Sequence, residues 1–162
     1  LQGQDGGGLS SPNREKEVWQ KRKRRKYGDK CSESVNSNDR MILSAAPIGE
    51  YDKRVVILTK EKGKISAFAK GARRPNSPLA GACTPCNFGK FMLYEGRNSN
   101  TLQSAEIENY FAELRTDVEA AYYAFYFLEF ADFYTREAND EREMLKLLYQ
   151  TMRVLTKRIN SI

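Results

Sequence analysis

Between Lys53 and Gly71 the sequence reads KRVVILTKEKGKISAFAKG, two apolar runs of strand length on either side of a turn that holds a glycine. In the second run Ile65, Ala67 and Ala69 share one face and Ser66, Phe68 and Lys70 the other, which is the two-residue period of a half-buried strand. MILSAAP precedes this pair, and NFGKFMLYEG and NTLQSAEIENYF follow it, joined by a Gly-Arg-Asn-Ser-Asn turn at 96–100. Such punctuation predicts short strands bounded by turn residues. Four or five of them in about 70 residues, with one longer connection at 71–87, predict a small closed barrel of the OB type over 41–114.

After Leu114 the period lengthens. TDVEAAYYAFYFLEFADFYTRE offers Thr116 as a cap with Glu119 three residues on, and then an apolar stretch long enough for several helical turns. Eight of the thirteen residues from Tyr122 to Tyr134 are aromatic, and they cover most of the circumference, so this helix is expected to be contacted on several sides. A second helix follows, with Asp140 and Glu143 as a capping box and Met144, Leu147, Leu148, Met152 and Leu155 as its apolar stripe. The fold class expected is therefore α+β, an OB-type barrel followed by the beginning of a helical domain at 115–162. Two such helices make a poor domain alone, so either a C-terminal truncation or a missing partner is expected.

Residues 1–40 differ in kind. They are rich in Gly, Ser and charge, with Leu9, Val18, Trp19 and Val35 almost the only large apolar side chains. Such a segment buries too little apolar area to offset its ordering entropy and reads as a disordered basic extension. The chain opens on Leu1, whereas Met41 opens the first patterned segment. The native domain start is therefore expected near Met41, and whether the extension is native is a question for N-terminal sequencing.

The 27 Lys and Arg against 21 Asp and Glu leave a net charge of +6, which favours a polyanionic partner. Residues 1–40 hold 10 basic and 6 acidic side chains, 41–114 hold 10 and 7, and 115–162 hold 7 and 8. The surplus thus sits in the extension and the barrel. KRKRRK at 21–26 reads as a solvated basic run and is assigned no site. In the barrel, Lys53 and Arg54 open the second strand, Lys60, Lys62 and Lys64 bracket its turn, and Lys70, Arg73 and Arg74 close the third. Arginine's planar fork suits phosphate, and Pro75 stiffens the backbone that follows. On the residues alone, this cluster fits a solvated strand end as well as a phosphate-binding edge. OB barrels often use such a groove for single strands, with aromatics stacking bases. Phe68, Phe91 and Tyr94 are the aromatic candidates, and strand parity does not choose between core and platform for them.

Histidine is absent from the sequence, which removes the commonest general base and metal ligand and every Ser/His or Cys/His nucleophile. No enzymatic activity is expected. Three cysteines, Cys31, Cys83 and Cys86, form an odd set without a recognisable signal peptide, which argues for a reducing cytoplasm. The Cys83-Thr-Pro-Cys86 spacing suits half a zinc site or a redox pair. With one other cysteine and no histidine it closes no conventional zinc site, and it lies between strands instead of at a helix start. It is read as two incidental small residues. No apolar run is long enough to span a membrane.

IGEYDKRVVILTKEKGKISAFAKGARRPNSPLAG resembles the N-terminal region of the bacterial RecO family of DNA repair and recombination proteins. That region has a G-E-x-D-[KR] turn, a strand, a tight turn, then G-K-[IL]-S-A-x-A-[KR]-G-[AV]-[RK]-[RK]-P and L-x-G. The matching residues here are Gly49, Glu50, Asp52 and Lys53, then Gly63 to Pro75, then Leu79 and Gly81. YEGRNSNTLQSAEIENYF and AAYYAFYFLEFADFYTRE agree in order and spacing, so the resemblance covers residues 41–158. It implies an OB-fold followed by a helical domain, binding of single- and double-stranded DNA, strand annealing, and help from RecR in loading RecA onto strands covered by single-strand-binding protein. It also implies a non-catalytic, cytoplasmic, nucleoid-associated bacterial protein. Apart from the resemblance, the aromatic and amphipathic helices fit a protein-interaction module and the barrel an RNA-binding OB protein as alternatives. Lys53, Arg54, Lys64, Lys70, Arg73, Arg74 and Arg97 are the DNA-binding residues expected. Two departures stand out. Polar VNSNDR at 35–40 replaces apolar strand residues, so the first strand is expected to fray. The four zinc cysteines of many members would lie beyond Ile162, so no cofactor is expected in this fragment.

Overall fold

The structure, a computed structural model, describes residues 39–161. The basic run at 21–26, Cys31 and all of the expected extension at 1–40 except Asp39 and Arg40 lie outside the described residues; those two belong to β1. Five strands, β1 (Asp39–Ile48), β2 (Asp52–Thr59), β3 (Lys64–Ala69), β4 (Phe88–Glu95) and β5 (Asn100–Asn109), are followed by a one-turn 3-10 helix (Ala112–Arg115) and two α-helices, α1 (Val118–Tyr134) and α2 (Arg142–Ile159). The strands close a barrel in the order β1-β2-β3-β5-β4, with β4 returning to β1. All pairings are antiparallel except β3 with β5, where Ala67 meets Asn100 and Phe68 meets Thr101. This is the expected OB-type barrel with a helical segment after it.

Of the polar stretch 35–40, where fraying was expected, residues 35–38 lie outside the described residues, and Asp39 and Arg40 belong to β1. Among the described residues β1 thus includes two residues ahead of the expected Met41, because Asp39 and Arg40 pair with Lys90 and Gly89 of β4. The Arg40 guanidinium also donates to the Phe91 carbonyl at 2.8 Å. A register shift between Ile42 and Ser44 interrupts the β1–β2 pairing. Around it the consecutive apolar residues serve two cores. Ile42 joins Val55, Ile57, Ala67, Phe91 and Leu102 inside the barrel, while Met41 and Leu43 pack with Leu58 and Phe88 against the helices. The β3 alternation is borne out, with Ile65, Ala67 and Ala69 buried and Ser66 and Phe68 half-buried on the opposite face.

The helices correct the sequence reading in detail. Asp117, not Thr116, caps α1, its carboxylate accepting the Ala120 amide at 2.7 Å. The buried face of α1 is Ala120, Ala124, Leu128 and Ala131. The three alanines let the helix approach closely and, apart from Phe127, which packs against the core, the aromatics turn outward, so Tyr122 is 72% and Phe133 81% exposed where contact on several sides was expected. In α2, Glu141 is the N-cap without a side-chain capping bond, its carboxylate accepting from Asn139 Nδ2 at 2.9 Å, and Asp140 accepts from the Arg142 amide instead. Leu145, Leu148 and Met152 form its buried stripe, while Leu147 points to solvent.

Helices and barrel are joined along a backbone seam. The linker between α1 and α2 runs beside the β2–β3 turn, where Lys64 N donates to Arg136 O at 3.0 Å, Ala138 N to Lys62 O at 2.9 Å and Glu141 N to Lys60 O at 3.0 Å. Gly63 sits in the seam at φ +63°, and a Cβ there would lie 2.0 Å from the Arg136 carbonyl oxygen. Neither the conformation nor the space admits a side chain. Gly63→Ala is therefore expected to cost about 2–4 kcal/mol of stability, read as a lower denaturant midpoint, with the helices loosening from the barrel in hydrogen exchange.

Candidate nucleic-acid interface

The β1–β2 turn is the foundation of the cationic edge. Gly49 takes φ +57°, and the Asp52 carboxylate accepts the Gly71 amide at 2.7 Å, which ties this turn to the start of the 70–87 connection. Gly71 itself stands at φ +67°, so the chain bends back over the turn. Arg73 N then donates to Tyr51 O at 2.8 Å, and its guanidinium reaches Gly49 O at 3.4 Å. The Arg74 guanidinium lies over the Tyr51 ring, 5.2 Å from its centroid, a cation–π contact that also orders the side chain. Both arginines and Lys70 are exposed. The connection is anchored below by Ala72, Leu79 and Cys83, which cap the barrel core. Lys53, half-buried, donates from Nζ to Cys83 O at 3.3 Å and so braces the connection from beneath.

The other expected residues divide. Arg54 is exposed, opposite Phe68 in the β2–β3 register, and its Nε donates to Ser66 Oγ at 2.9 Å. Arg97 is exposed in the β4–β5 turn. Lys64 is not brought to the edge. Its Nζ bonds the Asp132 carboxylate at 2.9 Å and the Asp132 carbonyl at 2.6 Å, because α1 ends beside β3. Phe91 is a core residue, 4% exposed, so it is no stacking platform. Tyr94 is exposed, and Phe68 lines an open cleft of ≈ 770 Å³. Tyr51 and the cleft's hairpin wall escaped the sequence reading, since both depend on contacts distant in the chain.

The Cys83-Thr-Pro-Cys86 segment lies in the connection between β3 and β4. Both thiols are buried, and among the described residues no three His, Cys, Asp or Glu side chains converge. Desolvation raises both thiols, against the opposing charge of Lys53 for Cys83 and of Arg115 for Cys86, and Cys86 is pushed up to about 11. Below the ordinary thiol range both states are protonated and this contribution is complete. As pH rises toward 11 the unfolded chain releases its proton first, so stability falls. Iodoacetamide is expected to leave both thiols unmodified near pH 8 until denaturant is added, and the alkaline decline in stability is expected to be shallower in Cys86→Ala.

A closed five-stranded barrel of this strand order is of the OB type. Residues 37–111 match the family described as Recombination protein O N terminal. The DNA repair protein RecO of Alkaliphilus metalliredigens is 37% identical over 116 residues, 72% of this chain and 47% of that protein. RecO of Shouchella clausii is 31% identical over 127 residues, 78% and 48% respectively, and RecO of Bacillus cereus 31% over 120 residues, 74% and 48%. The chain belongs to the RecO family. It spans about half the length of the curated relatives it matches. Among the described residues no helix is long and apolar enough to cross a membrane.

Proposed function

We propose that this chain binds DNA along the cationic edge of its barrel and acts in DNA repair as a recombination mediator that anneals strands and, with RecR, assists RecA on strands covered by single-strand-binding protein. The observation that carries this reading is the paired Arg73 and Arg74, held by Tyr51 and Gly49 with their guanidinium groups exposed. Pre-ordered forks lose little rotamer freedom when they meet phosphate. Lys70 and Arg54 extend the same edge, and Lys53 adds charge from a braced position. The role is non-catalytic and belongs to the bacterial cytoplasm and nucleoid. Phosphate contacts place a strand without reading it, so sequence preference is slight.

With about five phosphates neutralised, log K against log salt should slope by roughly −3 to −4 on single strands. In Arg73→Ala/Arg74→Ala that slope should become shallower by roughly 1 to 1.5, with both single- and double-stranded affinity reduced, as read by fluorescence anisotropy across a salt series. A flat salt dependence or an unchanged double variant would sink the assignment. Stronger competition by RNA than by DNA of equal length would move it to RNA.

A second reading rests on α1. Its outward aromatics and the apolar groove of ≈ 260 Å³ that Tyr126, Phe130 and Leu147 line beside α2 fit a protein surface better than solvent. In this reading the helices dock RecR or single-strand-binding protein while the barrel serves as scaffold. Calorimetry with the purified partners should then give a complex that survives Arg73→Ala/Arg74→Ala and weakens at least tenfold in Phe130→Ala/Leu147→Ala. The opposite pattern would exclude it.

A further inference from the structure

The connection from Gly71 to Asn87 carries Arg73 and Arg74 near one end and is tied to the helical segment at the other. Between the two ends it has little slack. Arg74 N donates to Gly71 O at 3.0 Å, Ser77 N to Arg74 O at 3.2 Å, Ala80 N to Ser77 O at 3.1 Å and Cys83 N to Leu79 O at 3.0 Å, so one turn leads into the next. Asn76 and Cys86 stand at φ +59° and +72°, conformations that residues other than glycine keep only where their surroundings hold them. At the far end the Asn87 backbone is set on β1, its carbonyl accepting the Ile42 amide at 3.0 Å.

The Asn87 side chain is wholly buried and both of its polar atoms are engaged. Nδ2 donates to Gly81 O at 2.8 Å and Ala82 O at 3.0 Å, which draws the connection in on itself. Oδ1 accepts from Arg115 Nη2 at 2.8 Å, and the same Nη2 donates to Pro85 O at 3.1 Å. A reversed amide would set its oxygen against two carbonyls and its nitrogen against a guanidinium that has only donors. Arg115 therefore fixes the direction of Asn87. Arg115 moves in turn with the helices, since it ends the 3-10 helix directly after buried Leu114 and stands two residues before Asp117, the cap of α1.

We infer that Arg115, acting through Asn87, is a positioning residue for the Arg73–Arg74 corner, so that the seating of the helical segment regulates how tightly the barrel holds DNA. The inference rests on the DNA-binding reading and adds a control that lies outside the edge itself. Without the Arg115 bonds, Asn87 loses its fixed direction and the turns from Gly81 back to Arg74 loosen. The two guanidinium groups then give up on meeting phosphate the freedom that they otherwise give up in folding. The bond from Gly71 to Asp52 still holds the near end, so the effect is partial.

In the full chain at low salt, Arg115→Ala should weaken binding of oligo(dT) and of duplex alike by about threefold to tenfold, the range that couplings of this kind reach. Asn87→Ala removes no charge and should reproduce that loss, and the two changes together should not exceed it. The deciding arm is Arg115→Ala placed in the Arg73→Ala/Arg74→Ala background, where its further effect should stay within about 1.5-fold, because the residues it positions are gone. Trypsin supplies a readout independent of DNA. Cleavage after Lys70 and Arg73 should accelerate several-fold in Arg115→Ala relative to cleavage after exposed Arg97. An unchanged affinity in Arg115→Ala, or the same loss in both backgrounds, as a direct phosphate contact by Arg115 gives, would overturn the inference. The two claims fail differently. If Arg73→Ala/Arg74→Ala itself leaves affinity unchanged, the DNA-binding reading falls and takes the regulation with it, while an altered tryptic ratio still shows Arg115 holding the connection.

Discussion

The Asp52 carboxylate and the Gly71 amide, 2.7 Å apart, join the first turn of the barrel to the start of its longest connection. A hydrogen bond to a charged group contributes about 1.5–3 kcal/mol, and much of the site's geometry follows from this one. With Gly71 held at positive φ beside Asp52, the next residues run antiparallel to the turn, and Arg73 N finds Tyr51 O. Ala72 is thereby directed into the barrel and the two arginines that follow it, Arg73 and Arg74, outward. The same fastening lets Leu79 and Cys83 close the end of the barrel. A connection of this length would otherwise retain most of its conformational entropy. The cations are ordered because the barrel is capped.

At the opposite side the barrel is completed by the helices. Met41 and Leu43 face the helical core while Ile42 faces the barrel interior, and the register shift between Ile42 and Ser44 accommodates both. One strand therefore belongs to two cores. The buried Asn87 side chain plays a matching part in the connection, donating to Gly81 O at 2.8 Å and Ala82 O at 3.0 Å, while Arg115 of the 3-10 helix donates to its Oδ1 at 2.8 Å. A change in the helical segment is thus felt at the base of the loop that carries Arg73 and Arg74. That coupling runs through directly bonded neighbours.

How much of this was legible in the sequence depended on the range of the deciding interaction. The strands β2 to β5 could be read because alternation and turn residues are local signals, and Ile65, Ala67 and Ala69 needed only the pleat to be placed. The start of β1 was misplaced because Asp39 and Arg40 are held by β4, some fifty residues away. On α1 the aromatic residues dominate the hydrophobicity, yet Ala120, Ala124 and Ala131 decide the packing face through their small size, a property that apolar counting ranks last. Phe68 and Phe91 both lie in strands, and only the closed barrel distinguishes the outward ring from the core ring. The cation cluster was visible as a group of residues, but Tyr51, which organises two of them, lies in a turn some twenty residues earlier.

The cations on the β2–β3 side show why a count of positive charge overstates what a polyanion meets. Lys64 has only 25% of its side chain exposed and is held by both the carboxylate and the carbonyl of Asp132, so it serves as a fastening for the end of α1. Lys62 is paired with Glu95, whose carboxyl it holds below the usual carboxylate range by hydrogen bond and charge. Lys53 supports a carbonyl of the connection. Arginine behaves differently on the same surface, since a guanidinium has donors in excess of any one structural task. Arg54 meets Ser66 with one nitrogen, and Arg73 meets Gly49 with another, and each retains further N–H groups for solvent or phosphate. The lysines of this edge are largely committed to the fold, whereas the arginines are positioned by it.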